Sequence, residues 1–207
     1  MSSSHPMLVS ILVYDAVEAL DFAGPYEVFT TASRMFGRKN PGIPPIFDVA
    51  SVSRDGKPVQ ARAGMRVLPD FSFDTCLPCD VLIVPGGVVD AAMECVATRD
   101  WIARSTAQAR FTASVCTGVF LLANSGVVRT ENVTTHWEDL ADLRLRFPAL
   151  NVVGGPRWID TGRIITSAGI SAGIDMSLHL VERLGGKALA ERTAQQMDYR
   201  WAMDDGL

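Results

Sequence analysis

The sequence predicts an α/β fold in which helices cover both faces of a mostly parallel sheet. Three observations carry this. Short apolar runs alternate with helical stretches along the whole chain. Those runs are nearly continuous in Val, Leu and Ile, as strands buried on both faces are. Two of them lead straight into tight turns, at Pro85-Gly86-Gly87 and at Cys116-Thr117-Gly118. The 207 residues, 48% hydrophobic and 20% charged, are enough for one large domain, read as residues 7–207 behind a flexible polar tail of residues 1–6.

Taken in order, Leu8 to Tyr14 reads as a buried strand. Asp21 to Met35 reads as a helix, with Phe22, Tyr26 and Phe29 at helical spacing and Gly37 as its stop. Phe47 to Val52 is a second strand, and Val59 to Leu68 supplies one or two short ones broken at Gly64. Val81 to Val84 is the clearest buried strand. Asp90 to Gln108 is mostly helical, with a break near Thr98. Phe111 to Val115 is a strand, followed by a short helix through Phe120 to Ala123 that Ser125-Gly126 ends. Val127-Val128 is expected as a short strand. Trp137 to Phe147 follows as a helix with Leu140, Leu143 and Phe147 on one side. Val152-Val153 and Arg163 to Thr166 are expected as strands around the Asp160-Thr161-Gly162 turn. Helices from Ile170 to Leu184 and from Lys187 to Arg200 complete the chain, separated by Gly185-Gly186. There is no internal repeat and no domain boundary.

A formal charge of −4, with no basic block, argues against nucleic acid as a partner. Met7 to Val13 is apolar but too short to cross a bilayer and has no basic region before it, so no membrane association is expected and the cytoplasm is the default compartment.

Of four cysteines, Cys76 and Cys79 have redox spacing but precede a strand in a proline-containing loop, unlike a thioredoxin-type pair. They read as structural, as does Cys95 within its helix, and no second Cys or His pair stands at zinc spacing. Cys116 is different. It lies between a strand and a helix, with Ser114 and Gly118 two residues to either side, the small-residue pattern of a nucleophile elbow. The positive end of the following helix favours a thiolate, drawing the pKa down from about 8.5. A buried, inert cysteine fits the same local pattern.

In an open α/β sheet, ligands gather beyond the carboxyl ends of the strands. Asp21, Gly86-Gly87 and Cys116 all fall at such ends. The Gly86 and Gly87 N–H groups, with that of Thr117, are expected to form an anion-stabilising pocket. Asp21 reads either as a helix N-cap or as a proton carrier, with Glu18 and Glu27 as alternative carboxylates. Among the histidines, His5 is in the tail, His179 pairs with Asp175 one helical turn away, and His136 alone is placed to approach the crevice.

The segments Leu20-Asp21-Phe22-Ala23-Gly24-Pro25, Ile83-Val84-Pro85-Gly86-Gly87, Ser114-Val115-Cys116-Thr117-Gly118, Thr134-Thr135-His136-Trp137 and Ser171-Ala172-Gly173-Ile174-Asp175 occur in that order. Together they resemble the ThiJ/PfpI superfamily, of class I glutamine amidotransferase-like fold, and within it the isonitrile (isocyanide) hydratases. The same segments occur in the N-terminal domains of AraC-type regulators. The resemblance implies a flavodoxin-like sandwich, a homodimer, no cofactor, no metal and a small-molecule substrate of the isonitrile class. It implies Cys116 as the nucleophile, Asp21 as its partner and Thr117 as a third catalytic residue, with Gly86, Gly87 and His136 around the substrate. Amidotransferases and cofactor-free glyoxalases of the superfamily usually carry histidine directly after the cysteine, and Thr117 departs from that pattern. A regulatory ligand-binding module, a redox sensor and a glyoxalase-like or hydrolytic enzyme remain as alternatives.

Overall fold

A continuous apolar run, Met7–Leu12, forms β1 inside a seven-stranded sheet. The structure is a computed structural model that describes residues 5–202. Met1 to Ser4 of the expected tail lie outside the described residues, as do residues 203–207. After β1 come α1 (Ala19–Lys39), β2 (Phe47–Ser53), β3 (Val59–Gln60), β4 (Arg66–Val67), β5 (Phe71–Ser72) and β6 (Val81–Val84). The chain continues through α2 (Asp90–Glu94), α3 (Val96–Gln108), β7 (Phe111–Val115), α4 (Gly118–Asn124) and β8 (Asn132–Val133). It ends with α5 (Leu140–Arg146), β9 (Asn151–Val152), β10 (Trp158–Asp160), β11 (Ile164–Ser167), α6 (Ala172–Gly185) and α7 (Lys187–Gln196).

The large sheet runs β10-β11-β7-β6-β1-β2-β5. Every pairing in it is parallel except β10 with β11. This is the flavodoxin-like order, and it determines where the site lies. From β1 the chain winds outward to β2, then returns past β1 to lay down β6, β7 and β11 on the other side. The reversal opens a crevice at the carboxyl ends of β1 and β6, where ligands bind in doubly wound sheets.

Side chains alternate across each strand, so the sheet feeds two cores. Val9, Ile11, Val81, Ile83, Ala113 and Val115 pack under α1, α6 and α7. Leu12, Leu82 and Val84 pack on the opposite face with Trp101, Ile102, Phe120, Leu122 and Leu143 of α3, α4 and α5. Among the described residues, no helix is long and apolar enough to cross a membrane.

Several boundaries differ from expectation. Gly37 does not stop α1, which runs on through Arg38 and Lys39 to Asn40, whose side chain donates to the Phe36 carbonyl at 2.9 Å. The break in the α2–α3 region falls at Cys95 rather than Thr98. Cys95 therefore lies between two helices and not inside one. Val127-Val128 is irregular and forms no strand. Val128 is buried without joining a ladder, and the strand comes later as β8, paired with β9 in a separate two-stranded sheet. The turn at residues 161–163 joins β10 to β11, so Val152 is not the hairpin partner. The last helix ends at Gln196 because the following residues fold back onto α6, where Tyr199 Oη and the Ala202 N–H donate to Asp175. Asp175 is also gripped by Arg157, whose Nε lies 2.7 Å away. It is therefore not the partner of His179, which meets Asp160 at 2.7 Å.

Candidate active site

Cys116 closes β7 and precedes α4 with φ of 55°, a left-handed backbone conformation that a cysteine adopts only under constraint. The constraints are visible. Its N–H reaches the carbonyls of Ser167 and Ala168 at 3.2 Å each, and its own carbonyl accepts from Thr135 Oγ1 at 2.9 Å. Two residues on, a Cβ on Gly118 would collide with the Val84 carbonyl, so only glycine lets α4 begin this close to β6. The sharp bend aims the thiol into a cavity of about 340 Å³. Cys116 is 8% exposed, on that cavity's floor beside Thr117, Phe120 and Ile170.

Asp21 sits in the first turn of α1 and is fully buried. It is not the N-cap. Glu18 holds that position, without a side-chain capping bond. One Asp21 oxygen, Oδ2, accepts the Gly86 N–H at 3.1 Å, and the carboxyl lies close enough to the Cys116 thiol for each to shift the other's pKa. The other, Oδ1, has no partner among the described residues. An ionised carboxylate in such a place is costly, and a retained proton removes the cost. Burial accordingly pushes Asp21 up to about 7; the Gly86 hydrogen bond opposes this, the charge of Glu18 adds to it, and the neighbouring Cys116 thiol opposes it.

The thiol does not follow the expectation of a helix-stabilised thiolate. Burial, then the charge of Asp21, push Cys116 up to about 12, against the N–H groups of Thr117 and Ile170 that favour the thiolate. The helix terminus contributes, but desolvation and the neighbouring acid outweigh it. Between pH about 7 and about 12 the two groups together hold one proton.

The glycine pair also departs from the expected pocket. The Gly86 N–H is committed to Asp21, and that of Gly87 donates to Thr117 Oγ1 at 2.9 Å. Neither faces the sulfur. The N–H groups that do are those of Thr117 and Ile170. The pair instead brings acid, threonine and cysteine together: a Cβ on Gly86 would stand 2.5 Å from Thr117 Oγ1 and 3.0 Å from Asp21 Oδ2.

His136 reaches the cavity wall, with its ring against Gly169 and its Nδ1 3.4 Å from Asp139. Glu18 joins the wall, paired with Arg62 at 3.3 Å, whereas Glu27 points elsewhere and pairs with Arg34. Two contributors were not apparent from sequence. Ile170, with φ of 50°, gives no signal in a run of small residues. Tyr14 donates to the Pro85 carbonyl at 3.0 Å and stays protonated, its pKa raised by burial and by the charges of Asp21 and Cys116. Its place at the end of the first apolar run was the only hint. Among the described residues no group of three or more His, Cys, Asp or Glu could hold a metal. Cys76 and Cys79 are free thiols in the loop before β6, and Trp101 Nε1 donates to Cys76 at 3.3 Å.

A profile of the DJ-1/PfpI family matches residues 7–183. The chain belongs to the DJ-1/PfpI family. This DJ-1/PfpI chain is 34% identical over 192 residues to the isonitrile hydratase of Pseudomonas putida, covering 92% of itself and 78% of that protein. It is 30% identical over 198 residues to the HTH-type transcriptional regulator GbdR of Pseudomonas aeruginosa, and it spans about half (51%) of that regulator's length. Among solved structures, a ThiJ/PfpI family protein from Pseudomonas syringae superimposes with a TM-score of 0.81 at 27% identity, over 94% of this chain and 76% of that one.

Proposed function

We propose that this protein is a cofactor-independent cysteine hydratase that converts isonitriles to N-substituted formamides. The observation that carries the reading is the buried Cys116–Asp21 pair, which lies beside a cavity that Cys116 and Thr117 line and holds a single proton above pH about 7.

An isonitrile, R–N≡C, carries a lone pair on its terminal carbon, so hydration must add a proton and a nucleophile at the same atom. A pair holding one proton supplies both. The carboxylate of Asp21 draws the proton from the thiol and delivers it to the carbon as sulfur bonds there, giving the thioimidate R–N=CH–S–Cys116. Asp21, again a carboxylate, then takes a proton from water as the water oxygen adds to that carbon, and passes that same proton to the imine nitrogen. Collapse of R–NH–CH(OH)–S–Cys116 breaks the C–S bond, forms the formamide carbonyl and returns the proton to the pair. Isonitrile and water are consumed, formamide leaves, and the protein ends as it began. The Thr117 and Ile170 N–H groups hold the sulfur while it is charged, as an oxyanion hole holds oxygen. Thr117 Oγ1, tied to Gly87, fixes the elbow against the glycine pair. The reading is of a homodimeric cytoplasmic protein with no nucleic-acid partner.

Incubation with an aryl or alkyl isonitrile should release the matching formamide, and Cys116→Ala should release none. Full turnover by that variant would sink the mechanism. A second reading, the same cavity as a ligand-sensing site, is favoured by the similarity to GbdR over 94% of this chain. Saturable binding of isonitrile with no formamide formed would select it.

A further inference from the structure

The wall of the cavity above Cys116 carries more acid than base. Arg62 is held by Glu18 at 3.3 Å. Arg146 is shared between Asp142 at 2.9 Å and Asp90 at 3.3 Å. Both guanidinium groups are thus neutralised within the wall, and Arg146 is over-matched. Glu138 and Asp139 remain, with His136 facing them at 3.7 and 3.4 Å. Even a protonated His136 leaves an excess of at least two negative charges around a space of about 340 Å³. The charge of Asp139 reaches the sulfur itself, where it opposes the thiolate. A concave wall with a net excess of one sign concentrates counter-charged ligands.

We propose that the cavity selects small molecules bearing a cationic substituent and discriminates against carboxylates and other anions, with Glu138 and Asp139 as the determinants. Resting on the hydratase reading, this narrows the substrate class to isonitriles whose R group carries an ammonium or similar cation, held toward Glu138, Asp139 and Asp142 while the isonitrile carbon meets Cys116.

The test pairs two thiol reagents of similar size, 2-(trimethylammonio)ethyl and 2-sulfonatoethyl methanethiosulfonate. Each forms a mixed disulfide by thiolate attack on its sulfenyl sulfur, with methanesulfinate leaving. Labelling of Cys116 is followed by peptide mass, and the cation-to-anion rate ratio is divided by the ratio for mercaptoethanol. The normalised ratio should be at least about tenfold at low ionic strength and shrink severalfold in high salt. It should also shrink in Asp139→Asn and in Glu138→Gln, where the exposed side chain leaves the fold least disturbed, and less in Asp142→Asn, whose carboxylate is already paired with Arg146. A normalised ratio at or below one overturns the proposal, as does failure of both reagents to reach Cys116. A second arm compares kcat/KM for 2-(trimethylammonio)ethyl isocyanide and 3-isocyanopropanoate. Cation-preferring labelling with no isonitrile hydrated removes the hydratase reading and leaves the charge preference standing. Hydration of both at equal kcat/KM removes the preference and leaves the hydratase.

Discussion

Cys95 and Cys116 each stand at the N-terminal end of a helix, α3 and α4, yet their proton chemistry runs in opposite directions. Cys95 has ordinary backbone angles, is partly exposed, and has its pKa lowered by the Thr98 side chain, by the Thr98 and Ala97 N–H groups and by Arg54. Cys116 is strained, buried and set against a carboxyl, and its pKa rises to about 12. The helix terminus is common to both, so it does not decide the outcome. Desolvation and the sign of the nearest charge do. A low thiol pKa marks the more ordinary cysteine here. The strained cysteine beside the acid is the one to which the proposed reading assigns covalent chemistry.

The sharpest way to break this contrast is to delete each sulfur in turn. Cys116→Ala should abolish formamide production, whereas Cys95→Ser should leave kcat/KM within about twofold. Equal losses would mean that the two sites are not functionally distinct.

Removing the acid comes next in size. Asp21→Asn should lower kcat/KM by at least about a hundredfold, the usual contribution of a positioned proton carrier. It should also change stability in a pH-dependent way. The folded pKa of Asp21, about 7, lies above its ordinary value of 3.8, so folding favours its protonated form. Its burial penalty is absent below pH about 4, grows as pH rises to about 7 and is constant above. Asp21→Asn should therefore be more stable than the parent at pH 8, by roughly 1–4 kcal/mol, with the difference vanishing near pH 4. Denaturant melts at the two pH values check this.

Crowding the support beneath the pair has a smaller effect on stability and a clear one on chemistry. Gly86→Ala should cost about 1–3 kcal/mol through overpacking against Thr117 and lower activity by displacing Asp21. Wild-type kinetics in that variant would show that the glycine pair does not position the acid.

Smallest is the difference in plain thiol reactivity. Near pH 7, iodoacetamide should modify Cys95 severalfold faster than Cys116, and Arg54→Gln should narrow the gap by raising the Cys95 pKa. Peptide-resolved labelling rates decide it.

The sequence made the sheet and the convergence of Asp21, Gly86-Gly87 and Cys116 legible, because apolar continuity and strand-end turns are local signals. Val81 to Val84 and Phe111 to Val115 fall where the pattern puts them. Two-residue elements such as β5 and β8 escaped it, since a ladder that short is made by its partner and not by its own composition. Electrostatic detail was less accessible still. Whether a helix-terminal thiol ionises depends on burial and on a carboxyl 95 positions earlier in the chain, and neither is written beside Cys116. The donors to sulfur were hidden similarly: Ile170 contributes only its backbone, which any residue type carries.

The most direct test of the shared-proton pair is the pH dependence of kcat/KM for isonitrile hydration. A doubly protonated pair has no site to take the thiol proton, so activity should climb with pH through a midpoint of about 7, and Asp21→Asn should lose that limb. A rate already maximal at pH 5, or a limb near 7 that persists in Asp21→Asn, would contradict the account.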